Sequence, residues 1–152
     1  MNSSFPQELG PGFREFVALV AIIISLVALS IDAMLPALPQ IASDLRLANL
    51  NDSQYVITVF FAGMGLGQVV FGPWSDSAGR KLPIMIGFGI FMLGCVLTIV
   101  SVDFELLLAG RFLQGFGAAA PRIIGVALVR DLYRGREMAR VMSFVMTLFI
   151  LV

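Results

Sequence analysis

Gly72-Pro73-Trp74-Ser75-Asp76-Ser77-Ala78-Gly79-Arg80-Lys81 separates two long apolar runs, and its reading decides how the rest of the chain is laid out. Pro73 and Gly79 are helix-breaking residues, so the spacing predicts that one helix ends and the next begins within this stretch. The runs on either side, 54–72 and 82–102, are each about 20 residues, the length of helix that crosses the hydrocarbon core of a bilayer. A turn this tight joins antiparallel neighbours and lies at a membrane face. Arg80 and Lys81 sit beside an apolar span, and such bases collect on the cytoplasmic side, which places the turn there.

Composition agrees with that layout. Hydrophobic residues make up 59% of the chain and charged residues 13%, against about 25% charged in a soluble domain. The fold class expected is therefore all-α integral membrane. With one cysteine, Cys95, and no histidine, neither a disulfide framework nor a Cys or His metal site can be built, and no metal is expected. Nothing has the form of a phosphate-binding loop or of a nucleophile with its base, so the chain does not read as an enzyme. Its basic residues are explained by topology without nucleic acid.

Taken in order, the chain opens with a polar tail over 1–15, read as flexible and cytoplasmic. Spans follow at about 16–35, 54–72, 82–102 and 106–129, with an incomplete one at 141–152: four complete helices and part of a fifth. The first run is too long for the core of a secretory signal and lacks a good cleavage site, so it reads as a retained helix. Pro36 and Pro39 are expected to kink or end it, and Asp52 or Ser53 to cap the next. Gly63, Gly65 and Gly67 form a small-residue stripe suited to close helix contact. The third span has Gly87, Gly89 and Gly94 among bulky apolar residues and no charge, the pattern of a supporting helix that faces lipid. Seven bases (Arg14, Arg80, Lys81, Arg130, Arg134, Arg136, Arg140) fall on one side and Arg46 alone on the other. That asymmetry puts the N-terminus in the cytoplasm.

The fourth span differs in kind, since it carries Arg111, Gln114, Pro121 and Arg122 among glycines and alanines. An arginine at membrane depth usually faces a watery cavity or the bundle interior and has a partner. Asp32, near the outer end of the first span, is the acid at comparable depth, so a pair or shared water pocket with Arg111 is the economical arrangement. The bland alternatives are that Asp32 caps its helix in headgroup water and that Arg111 or Arg122 snorkels to an interface. Gln114 is placed to orient Arg111 or to bind ligand. Asp76 is the other residue that topology does not explain, because it is an acid on the side that favours positive charge.

Gly72-Pro73-x-x-Asp76-x-x-Gly79-Arg80-Lys81 between the second and third spans resembles the signature of the major facilitator superfamily. Arg111-Phe112-Leu113-Gln114-Gly115-Phe116-Gly117 is similar to the fourth-helix motif of its proton-driven members, and Asp32 with Pro36-Ala37-Leu38-Pro39 to the first-helix motif of the drug:proton antiporter branch. Val129-Arg130-Asp131-Leu132-Tyr133, followed by Arg140-Val141-Met142-Ser143, resembles the bicyclomycin and chloramphenicol efflux group. The resemblance implies a multi-pass protein of the bacterial cytoplasmic membrane that exports small, mostly apolar drugs in exchange for protons, driven by the proton gradient with no cofactor. It further implies substrate or proton-coupling roles for Asp32, Arg111 and Gln114. A gating role falls to Gly72, Pro73, Asp76, Gly79, Arg80 and Lys81, with Asp76 engaging a helix in the second half of the transporter. The family has twelve helices, so the chain is expected to be a fragment or truncated product lacking the C-terminal half. The alternative is a non-transporting membrane fragment or assembly partner.

Overall fold

The computed structural model describes residues 11–47, 49–133 and 135–151. Six helices follow one another among the described residues: α1 (Pro11–Asp32), α2 (Leu38–Asp44), α3 (Tyr55–Ala78), α4 (Lys81–Ile99), α5 (Phe104–Leu132) and α6 (Arg136–Leu151), with 3₁₀ turns at Leu35–Ala37 and Leu50–Gln54. Among the described residues, three helices are long and apolar enough to cross a membrane: Asn51–Ala78, Lys81–Ile99 and Phe104–Leu132. The chain is an all-α membrane protein.

Several boundaries differ from those expected. Residues 11–15 are not tail, because Pro11 starts α1, its ring fixing φ where the missing N–H costs nothing; residues 1–10 of the expected tail lie outside the described residues. α1 ends at Asp32, and Pro36 and Pro39 then occupy the first turns of the two short helices that follow. The residue at the cap position of α3 is Gln54, not Asp52 or Ser53 as expected. A 3₁₀ turn leads directly into α3, and the Tyr55 N–H bonds to the carbonyls of Asp52 and Ser53, so no side chain is needed.

Pro73 does not stop its helix either. α3 runs through it to Ala78, without the hydrogen bond that position 73 would otherwise donate to the Val69 carbonyl. The real break is Gly79, at φ 84°, a backbone angle that side chains rarely tolerate. The ten-residue turn thus shrinks to Gly79 and Arg80. α5 extends past its expected span at both ends and absorbs Pro121, while α6 begins at Arg136, earlier than the expected 141.

α5 is the hub. Lipid offers no hydrophobic gain to helices that pair, so close backbone approach has to hold them. A Cβ at Gly115 would collide with the backbone carbonyl of Phe60 in α3, and one at Gly117 with the backbone of Phe91 in α4. Glycine at those two places lets α3 and α4 press against opposite faces of α5. The joint they make is filled by Phe60, Met64, Phe71, Phe91, Ala118 to Ala120 and Ile124. Gly63 and Gly67 belong to the α3 contact as expected, whereas Gly65 faces open space. α4 gives Pro83, Gly87, Phe91 and Gly94 to α5 and leaves Met85, Met92, Leu93 and Ile99 exposed, the lipid-facing pattern its sequence predicts. A separate cluster of Val20, Ala21, Ile24, Val141 and Val145 joins α1 to α6 and reaches α5 at Val129.

Candidate functional site

Arg111 stands one helical turn before Gly115, so the close approach of α3 that Gly115 permits also brings Val56 and Phe60 over its guanidinium. The side chain is 8% exposed. Its Nη2 donates to the Met34 thioether at 2.8 Å, and its Nε, fully buried, has no hydrogen-bond partner. Around it lies a void of about 10 Å³ lined by Ser30, Ile31, Val56 and Phe60, the size of a single water site. A thioether is a weak acceptor and carries no charge. Arg111 is therefore a buried cation without a counter-ion among the described residues.

The expected pairing with Asp32 is not formed. Asp32 is the last residue of α1 and exposed, and the turn that follows it delivers Met34, not the carboxylate, to the guanidinium. Asp32 is thus a helix-end acid and not one buried within a span. Gln114 does not orient Arg111 either. It turns toward α4, where its Nε2 donates to Cys95 Sγ at 2.9 Å, leaving Oε1 buried and unpartnered. Three residues apart on α5, two side chains each hold a buried polar atom with unused bonding capacity, a costly arrangement in a low-dielectric interior.

At the other end of α5 a second cluster forms around Arg80. Its Nη1 donates to Asp76 Oδ1 at 2.7 Å and to Ser75 Oγ at 2.8 Å, while Nε and Nη2 reach Asp131 Oδ2 at 3.1 and 2.9 Å. Ser75 in turn donates to the Gly72 carbonyl at 2.9 Å. Partial desolvation opposes the Arg80 charge, but the hydrogen bonds and attraction from Asp131 and Asp76 outweigh it and hold its pKa above the ordinary arginine value. Gly79 makes the reversal possible by its positive φ, Gly72 packs near Ile123, and Pro73 is exposed within α3. Lys81 is exposed and starts α4. So the structure brings together Gly72, Asp76 and Arg80, adds Ser75 and Asp131, and leaves Lys81 outside the cluster.

Asp131 was not singled out from the sequence as the partner of Arg80. The signal was present, since Asp131 is an acid directly after Arg130 at the start of a basic loop, the same anomaly that draws attention to Asp76. Arg122 is exposed on the α3-facing side of α5, its Nη1 3.7 Å from Met64 Sδ.

Glycine-packed membrane helices, an acid–base cluster at one helix corner and an unneutralised cation in α5 together make a multi-pass membrane bundle with a polar interior. The major facilitator superfamily model matches residues 20–152, and the chain belongs to that family. An uncharacterised transporter of this type from Bacillus subtilis is 38% identical over 79% of this chain and 30% of its own length. A bicyclomycin resistance protein homolog of Haemophilus influenzae is 34% identical over 90% of this chain and 34% of its own. The multidrug resistance protein MdtL of Citrobacter koseri is 36% identical over 74% of this chain and 29% of its own. No solved structure matches it significantly. The chain spans about a third of the length of these relatives.

Proposed function

We propose that this chain is the N-terminal part of a proton-coupled antiporter that exports small, mostly apolar drug-like compounds across the bacterial cytoplasmic membrane, with its N-terminus in the cytoplasm. The observation that carries the reading is Arg111, a cation held at membrane depth with a thioether as its one hydrogen-bond partner among the described residues. A transporter needs a group whose charge balance changes during its cycle, and a guanidinium without a counter-ion is set to respond to any proton or ligand that arrives beside it. Asp32 follows as the proton acceptor, two residues from the side chain that touches Arg111. Gln114, with a free buried carbonyl oxygen, contributes an acceptor to the ligand or to water.

The corner around Arg80 is the gate. Asp76 keeps most of its surface exposed, its side chain 64% accessible, so it remains free to meet the positive end of a helix from the C-terminal half. The proton gradient supplies the drive, and no cofactor is required.

The reading is tested in the full-length protein by substrate binding against pH. Asp32→Asn should bind substrate with its pH dependence lost, and Arg111→Lys should uncouple export because lysine lacks the planar fork of donors. An unchanged pH profile in Asp32→Asn would put the proton site elsewhere in the protein.

A further inference from the structure

Arg122 has no place in either cluster, yet it lines a sizeable cleft. This cleft, about 330 Å³ and open on one side, runs between α3 and α5. Arg122, Val126 and Arg130 recur every four residues on α5 and so form one wall, while Gln68, Gly72 and Asp76 do the same on α3. The charged side chains that line it are Arg80, Arg122, Arg130 and Asp76. Arg80 already serves Asp76 and Asp131. Arg122 and Arg130 form no ion pair among the described residues; with Arg80 shared between Asp76 and Asp131, the charged groups in and beside the cleft leave a net positive charge of one.

We propose that this cleft is an anion site that takes a phosphate group, whether from the headgroup of an anionic lipid or from a free phosphate-bearing solute. Arg122 lies about 15 Å before the end of α5 at Leu132, a depth at which an unpartnered cation is costly. Met64 offers only a neutral sulfur at 3.7 Å. Guanidinium groups match phosphate oxygens two at a time, and the Gln68 amide adds a donor beside them. Ile123, Val126 and Ala127 give the same cleft an apolar wall, which suits the glycerol and chain of an amphiphile. Basic pockets between spanning helices hold lipid headgroups for these reasons. Gly72, Asp76 and Arg80 of the proposed gate also line this cleft, but the anion would be held by Arg122 and Arg130, and a stability readout with added probes does not depend on the roles given to Arg111 and Asp32.

The test uses the full-length protein in a zwitterionic detergent, with short-chain phosphatidylglycerol, short-chain phosphatidylcholine and inorganic phosphate as probes and thermal stability as readout. Phosphatidylglycerol should stabilise the protein and phosphatidylcholine should not. The double variant Arg122→Gln/Arg130→Gln should weaken the phosphatidylglycerol response by about tenfold or more, while Arg136→Gln, outside the cleft, leaves it intact. Competition by inorganic phosphate identifies a site for free phosphate; stabilisation without competition identifies a lipid site. An equal response to the two lipids, or a double variant that responds like the native protein, overturns the proposal. Should the double variant fail to fold, phenylglyoxal modification of the native protein decides the matter: Arg122 and Arg130 should react when no probe is present and be protected by phosphatidylglycerol or phosphate. Protection without any probe would mean that an acid elsewhere in the transporter already fills the cleft, and the proposal would fall.

Discussion

Arg80 reaches from the α3–α4 corner to the last turn of α5, where its Nε and Nη2 converge on a single oxygen of Asp131, at 3.1 and 2.9 Å. The tie joins residues 51 positions apart and sits where solvent still reaches it, the Asp131 side chain being 46% exposed. Exposed pairs contribute little to stability. Under the proposed gating, the role of the tie is to hold one helix end against another until something else competes for the arginine.

A double-mutant cycle with Arg80→Gln and Asp131→Asn separates those two roles. The coupling energy in unfolding should stay below about 1 kcal/mol, while either single variant of the full-length protein slows export. A coupling of several kcal/mol with unaltered export would make the tie a structural brace and remove it from the gate.

Gly115→Ala places a methyl group against the Phe60 carbonyl, which is backbone and cannot swing aside. The strain should lower stability by about 1–3 kcal/mol, read as an earlier melt in detergent. Gly65→Ala and Gly89→Ala meet nothing within 4 Å and should be neutral or stabilising by up to about 1 kcal/mol, because alanine is the better helix former. If all three variants melt alike, backbone contact is not what holds α3 to α5.

Arg111→Met replaces a buried, unpaired charge by an apolar chain of comparable length. Removing such a charge is commonly neutral or stabilising, so this variant should insert and melt no earlier than the native protein while its proton-coupled export is lost. Loss of both together would assign Arg111 to the fold and not to transport.

Orientation is tested by impermeant thiol reagents on intact cells, in a Cys95→Ser background that keeps an acceptor for Gln114. Cysteine at Asn49 should be labelled from outside, and cysteine at Ser77 or Arg136 should not. Gly135 is a poor choice for the same purpose, because its φ of 57° would strain any side chain. Outside labelling at position 77 would invert the topology.

The helices were legible because apolar runs of membrane length have few other readings, and the lipid face of α4 could be taken from its lack of charge. The boundaries were less so. Pro73 looks like a terminator in a sequence, but it sits inside a helix in the structure, as Pro121 does within the span expected for it, and surroundings and packing decide whether the lost hydrogen bond matters. Among the candidate site residues, Asp76 stood out in the sequence as an acid on the wrong side of a topology rule, while its ion pair with Arg80 was not expected. Arg111 was found from charge at depth. Its expected contact with Asp32 failed because depth along an axis says nothing about azimuth, and the turn at Leu35–Ala37 brings Met34 round in place of the acid. Asp131 was missed as a partner because a pairing across 51 residues leaves no local period to read.

The glycine contacts of α5 also divide the chain by how freely it can change over generations. Leu82, Met85, Met92, Val96 and Ile99 look outward from α4, so one apolar residue there can replace another at almost no cost. On α5, Gly110, Gly115 and Gly117 each have a neighbour's atoms where a Cβ would stand, and a single added carbon forces a whole helix to move. Substitutions that leave this bundle undisturbed therefore fall mainly in the lipid-facing rind and the loops. The helix that carries Arg111 and Gln114 has few neutral substitutions through which it could drift toward a new specificity.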